Sequence, residues 1–473
     1  MENQTTKTTS NEIKIPPKGL AALAFVGPSF IWCAEYIGSG EIILAPRTGA
    51  ILGYTIIWAV VVGIFLKYWI GMSGARYTVC TGEAMIDMFD RVRGPRHWVV
   101  WLVLIAQLIA ATISIGSIAS AGGIFINNFF QFVSPYAGGW FVTIFSLIVV
   151  WSGVFDILKI VMSLFVLIIV VGVLYVAVTI FPGFSELLKS LMLKVPAVPD
   201  WAISKAGVST NPWREILPLL GWGAGGFASQ VWYTYWVMGA GYGAAKDRDY
   251  GEPADLNMLA KLTKSGAEKI KGWCRVVYFD ATIAMIIGVI VTVGFFTAGA
   301  GILRPLELAP QGEDVAKTIA TIFSSKWGEF GGFVFMLSAT VALISTQIGQ
   351  LAGWPRLLAD SFRICFPTFG KRYSWKTQFH AFLIFFLITS MIIVFTLGLN
   401  SVLIIQISAV LDGLLLTPLQ AILVAVGLYF IMPKLYNREA WEILKPHWIF
   451  AVGLVIAFLV FGYFCIFQIP FII

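Results

Sequence analysis

Residues 35–46, EYIGSGEIILAP, set Gly38, Ser39 and Gly40 directly before an acid, Glu41, inside an apolar run of about residues 21–46. An uninterrupted spanning helix has no use for such a cluster, since each interior glycine weakens a helix by about 1 kcal/mol relative to alanine. A helix broken at membrane depth is tolerated only where its freed backbone groups line a cavity or bind something. The same signature recurs once, at residues 221–226, GWGAGG, opening the apolar run 217–241. Paired interruptions at matching places in two halves of a membrane chain point to a transporter's substrate site.

Composition places the chain in the membrane. Of its 473 residues 58% are hydrophobic and 12% charged, about half the charge of an average soluble domain, and mean hydropathy is +0.85. Eleven apolar runs are long enough to span a bilayer or nearly so: 21–46, 50–75, 98–133, 139–155, 158–181, 217–241, 274–301, 329–352, 378–398, 401–431 and 448–471. The polar start, MENQTTKTTSNEIKIPPK, carries no cleavable leader pattern, so the first run is expected to act as an uncleaved anchor. Residues 1–20 read as a cytoplasmic tail and 21–473 as one transmembrane domain. That domain divides into a repeat over about 21–181, a second over about 217–431, and an extra helix over about 448–471. Five helices per repeat make the two units inverted.

With the N-terminus inside, most of the 32 Lys and Arg fall in cytoplasmic segments, as the positive-inside rule requires. The C-terminus is then outside, in a plasma (inner) membrane. This distribution accounts for the net charge of +7 without a nucleic-acid partner; the expected partners are the lipid bilayer and a small inorganic cation. Cys33, Cys80, Cys274, Cys365 and Cys465 are scattered without a CxxC, which predicts neither disulfides nor a metal cluster. No His-rich cluster, GxSxG or phosphate loop indicates an enzyme, and no cofactor is expected beyond the transported ion.

Longer stretches carry a family likeness. GPSFIWCAEYIGSGEIILAPRTGAILGYTIIWAVVVG (27–63) resembles the opening of the natural-resistance-associated macrophage protein (NRAMP) metal-ion transporters. In order, ARYTVCTGEAM (75–85), FDILKIVMSLFVLIIVVGVLY (155–175), STQIGQLAG (345–353) and QISAVLDGLLLTPL (406–419) resemble later parts of that family. The resemblance implies an all-α integral-membrane fold, a LeuT-like 5+5 inverted repeat with helices one and six broken. It also implies secondary transport of a divalent metal cation by alternating access. The family's metal-binding DPGN falls on Gly38, Ser39, Gly40 and Glu41, and its MPHN on Phe227, Ala228, Ser229 and Gln230. The Asp, the metal-binding Met and the neighbouring His are therefore absent. The third run, QLIAATISIGSIASAGG (107–123), lacks the acids of proton-driven members.

The candidate site is accordingly Glu41 as the direct metal ligand, with Ser39, Gly38, Gly40, Ser229 and Gln230 supplying oxygen, and Phe227 and Ala228 shaping the pocket. Glu35 and Asp412 are candidates for coupling or support; Asp280 reads as structural. Oxygen-only donors favour hard cations such as Mg²⁺ or Mn²⁺, with proton coupling or uncoupled flux both open. A rival reading starts from the same residues. GSGE also resembles the break of amino acid–polyamine–organocation transporters, and Trp232, Tyr233, Tyr235 and Trp236 could then form an aromatic cage for an organic cation. A sensor that keeps the fold without transporting is the third class.

Overall fold

The computed structural model describes residues 13–153, 160, 164, 183–190 and 192–471. Almost all of the fifth apolar run, 158–181, lies outside them. The first run is interrupted where expected: α1 (Pro28–Tyr36) stops, three residues intervene, and a π-helical turn (Gly40–Leu44) leads into α2 (Ala45–Leu52). The next runs form α3 (Ile57–Thr81), α4 (Trp98–Phe129) and α5 (Pro135–Val150). The sixth is split into α6 (Trp213–Trp222) and α7 (Phe227–Gly239). Then come α8 (Lys264–Ala298), α9 (Val315–Cys365) and α10 (Trp375–Leu397). The tenth run is itself split, into α11 (Ser401–Gly413) and α12 (Thr417–Val426), and α13 (Trp448–Phe467) follows.

Several boundaries depart from the apolar runs. Helix α8 begins ten residues before its run, and α9 extends well beyond residues 329–352 at both ends, with a kink at Gly328 (φ 66°). Charged residues end an apolar run without ending a helix, because the polar turns project into water. Residues 21–25 belong to a short 3-10 turn, and α1 starts at Pro28, whose ring suits a first helical turn. Among the described residues six helical stretches are long and apolar enough to cross a membrane; the broken first and sixth runs fall short because each half is only 8 to 13 residues long.

The halves of the broken helices form the centre. Helix α1 packs against α7, α8 and α9, while α3 lies along α8 and α7. Helix α4 runs beside α9, α5, α10 and α11. Its small residues let it approach α5 closely: a Cβ on Gly123 would sit 2.1 Å from the Pro135 carbonyl, the close packing that small residues permit between membrane helices. Outward-facing Leu102, Ile105 and Ile109 on α4, Ile384, Ile388 and Ile392 on α10, and Val452, Ile456 and Leu459 on α13 are exposed. Their three- to four-residue spacing makes apolar stripes that suit a lipid surround.

Candidate functional site

The two glycine clusters meet. A Cβ on Gly40 would lie 2.9 Å from the Trp222 carbonyl, so the first break passes directly under the second. In the second, Ala224 and Gly225 adopt left-handed backbone (φ 57° and 80°), a conformation costing a non-glycine residue about 1 kcal/mol or more. The break in the tenth run joins them: Gly413 packs so tightly on Gly221 that a Cβ would sit 2.2 Å from its carbonyl oxygen. This approach carries Asp412 to the start of α7. Its Oδ1 accepts from the Ala228 amide at 3.1 Å and its Oδ2 from Trp222 Nε1 at 3.2 Å. A carboxylate at a helix N-terminus is favoured by the unpaired amides and the helix dipole.

Glu41 fastens the two breaks together. Its Oε2 accepts from the Gly38 amide at 3.1 Å and its Oε1 from the Ala224 amide at 2.9 Å, with the Thr292 hydroxyl at 3.4 Å from Oε1. Both oxygens thus satisfy donors that the interruptions leave unpaired. Glu35 is placed differently. Ser229 donates to its Oε2 at 2.6 Å and receives a bond from Trp32 Nε1 at 2.9 Å; Oε1 of Glu35 has no hydrogen-bond partner among the described residues.

Glu35, Ser39, Gly40, Gly225, Gly226 and Asp412 line one cavity of about 20 Å³, walled by Tyr36, Trp222, Trp232 and Trp354, with Thr346 and Gln350 from α9 completing it. Of the sequence-derived candidates, Ser39, Gly40, Glu35 and Asp412 therefore face a common space. Glu41 and Gly38 lie behind it in the fastening. Ser229 supports Glu35, Ala228 supplies an amide to Asp412, and Phe227 packs on Phe89 at 6.2 Å between ring centroids. Gln230 is wholly buried beside Gly71, with neither amide atom hydrogen-bonded among the described residues. Asp280 holds the start of α1 through the Gly27 amide at 3.2 Å and Tyr233 at 2.7 Å.

Sequence reasoning missed three contributors. Thr346 and Gln350 sit in the quoted stretch STQIGQLAG, at the four-residue spacing that puts both on one helix face. Lys67, a lone cation in an otherwise apolar run, inserts its ammonium into the second break. Its Nζ donates to the carbonyls of Gly221 (2.8 Å), Gly223 (2.7 Å) and Gly225 (2.8 Å). Carbonyls freed by that break are thus already engaged. No group of three or more His, Cys, Asp or Glu side chains is arranged to hold a metal among the described residues; an ion in the cavity would rely on few carboxylates plus neutral oxygens.

Comparisons with known proteins fit this architecture. A family model described as natural resistance-associated macrophage protein-like matches residues 29–208. Over that stretch the chain is similar to the Nramp proteins. It is 33% identical over 89 residues to the divalent metal cation transporter MntH of Yersinia enterocolitica, a match covering 19% of this chain and 21% of that protein. It is 30% identical over 108 residues to the MntH of Pectobacterium carotovorum, covering 23% and 24%. The chain therefore spans less than a quarter of these relatives in direct sequence match. The fold likeness runs further. A crystal structure of the Eremococcus coleocola manganese transporter superposes with a TM-score of 0.61 at 12% identity, covering 97% of this chain and 90% of that one. Mhp1, a nucleobase-cation-symport-1 family transporter, gives 0.52 at 13% identity, covering 92% and 90%. The LeuT-like bundle with broken first and sixth helices is the shared architecture.

Proposed function

We propose that this chain is a secondary transporter of a hard divalent cation, Mg²⁺ or Mn²⁺, which binds between the two helix breaks and crosses by alternating access. The observation that carries the reading is the cavity where Glu35, Asp412 and Ser39 converge with broken backbone. Three buried carboxylates, Glu35, Glu41 and Asp412, against one buried ammonium, Lys67, leave a formal charge of minus two when all are ionised, matched to one divalent ion. The side-chain donors on the cavity are oxygen, with Phe227 at the position of the family's thioether, and oxygen donors select Mg²⁺ and Mn²⁺ over softer metals. A cavity of about 20 Å³ has room for a water or a bare ion and is far below the about 300–1,000 Å³ of organic-ligand pockets. The names of the partly matching relatives, divalent metal cation transporters, support the same class.

Charged clusters at both ends support alternating access. At one end Arg47 of α2 makes a bidentate pair with Glu215 of α6 at 2.8 and 2.9 Å, joined by Gln406 of α11 at 3.1 Å. At the other, Arg363 of α9 pairs with Asp87 at 2.8 Å and with Asp360, which also accepts from Tyr235 of α7 at 2.6 Å. The basic-residue bias puts the first cluster outside and the second inside. Glu35 and Asp412 are the acids we assign to the ion, and Glu41 keeps the breaks in register.

The aromatic walls favour an organic ammonium as the second reading, since indole faces attract cations. Uptake into proteoliposomes separates the two. Saturable entry of Mn²⁺ or Mg²⁺, measured with and without a pH gradient, is expected, with no entry of amino acids or choline. Amino-acid uptake without metal uptake would overturn the proposal, and the effect of the gradient decides coupling.

A further inference from the structure

Lys67 sits within the 25-residue α3, and its side chain is 1% exposed. A lysine at the centre of a membrane helix costs about 2.5–3.5 kcal/mol on insertion scales, and a buried charge ordinarily needs an opposite charge beside it. Lys67 makes no ion pair among the described residues. Its three N–H donors instead meet three carbonyls from one five-residue stretch, Gly221, Gly223 and Gly225, all within 2.8 Å. Such short charge-assisted bonds are the stronger kind. The carbonyls are at the C-terminal end of half-helix α6, where the dipole favours positive charge. A convergent set of unwound-helix carbonyls at the end of a half-helix is also the arrangement by which broken membrane helices coordinate small cations.

We infer that the second break forms a monovalent-cation site and that Lys67 fills it permanently, as a cation tethered to α3 in place of an exchangeable alkali ion. The tether gives the carbonyls around the left-handed turn a cation partner from within the chain. It also distinguishes this site from the adjacent cavity, whose charged groups are the carboxylates of Glu35 and Asp412. The carbonyl site and the transported ion would then not compete: one is always occupied, the other exchanges.

Removing the tether should expose the site. The purified full-length chain is heated in detergent with choline, Na⁺, K⁺ or methylammonium as the only added monovalent cation, and the unfolding midpoint is read. The wild-type midpoint is expected to be the same in all four. Lys67→Ala is expected to unfold several degrees lower in choline and to recover saturably with Na⁺ or methylammonium, as a ligand binding only the folded state requires. Lys67→Met, which fills the space with an apolar chain, is expected to be lowered without recovery. If Lys67→Ala does not fold in choline, including Na⁺ or methylammonium throughout extraction should restore it. The inference is overturned if folded Lys67→Ala matches the wild type in choline, or responds to none of these cations, or if no cation restores its folding. It is equally overturned if Lys67→Gln, a neutral donor, matches the wild type. The readout is stability, so the outcome stands whether or not the transport proposal holds.

Discussion

At the scale of single residues, three acids that look alike in the sequence do different work. Glu41 is bound through both oxygens to amides of the two breaks, whereas Glu35 keeps an oxygen toward the cavity and Asp412 reaches it from α11. Glu41→Gln puts an amide nitrogen against a backbone donor, and losing one charged hydrogen bond costs about 1.5–3 kcal/mol. It should therefore lower both the unfolding midpoint and uptake. Glu35→Gln retains an oxygen for Ser229, and is expected to keep the midpoint while Mn²⁺ uptake falls at least ~10-fold, the effect of ~1.4 kcal/mol of binding. Thermal unfolding and uptake measured on both variants check the division of labour; equal destabilisation by both would refute it. Gly226 has its own requirement, because a Cβ there would stand 2.1 Å from Asp412 Oδ2. Gly226→Ala should displace that carboxylate and abolish saturable uptake, as flux assays can read directly.

At the scale of elements, much of the site was legible. The glycine clusters mark the breaks because few other residues permit a tight crossing or a positive φ, and those positions are where α1 and α6 end. Asp412 stood out as a lone acid in an apolar run. The break after it was not legible: Leu414, Leu415 and Leu416 form no turn signal, and the interruption is imposed by the contact of Gly413 with Gly221. The sequence ranked Glu41 before Glu35 as the direct ligand, whereas Glu35 is the acid that lines the cavity, because a six-residue spacing has no fixed angle across a helix that is not continuous. The partners of Lys67 are carbonyls, which leave no trace in residue identity. The end clusters join sequence-distant elements in the same way. Breaking a buried pair by removing one partner costs about 3–5 kcal/mol in that state. Arg363→Gln should thus shift the population toward the state open at the Asp87 end, and Arg47→Gln toward the opposite one. Labelling of a cysteine introduced at Ser39, by reagents added from either side of a sealed vesicle, reports the shift; unchanged labelling in both variants would remove these clusters as gates.

For the molecule as a whole, an inverted-repeat bundle explains why interruptions in helices distant in sequence come together at its centre. The frame is a fold shared with the Eremococcus coleocola manganese transporter, while the groups at its centre are this chain's own: two cavity-facing carboxylates, a third carboxylate fastening the breaks, and a lysine seated in freed carbonyls. The central claim is that one divalent cation binds between Glu35 and Asp412. Calorimetric titration of the purified chain with Mn²⁺ tests it most directly. One ion per chain is predicted for the wild type and no saturable binding for the folded Glu35→Gln, Asp412→Asn double variant, whose midpoint is lowered because Asp412→Asn sets an amide nitrogen against the Ala228 or Trp222 donor. Undiminished binding by the folded double variant would contradict the account.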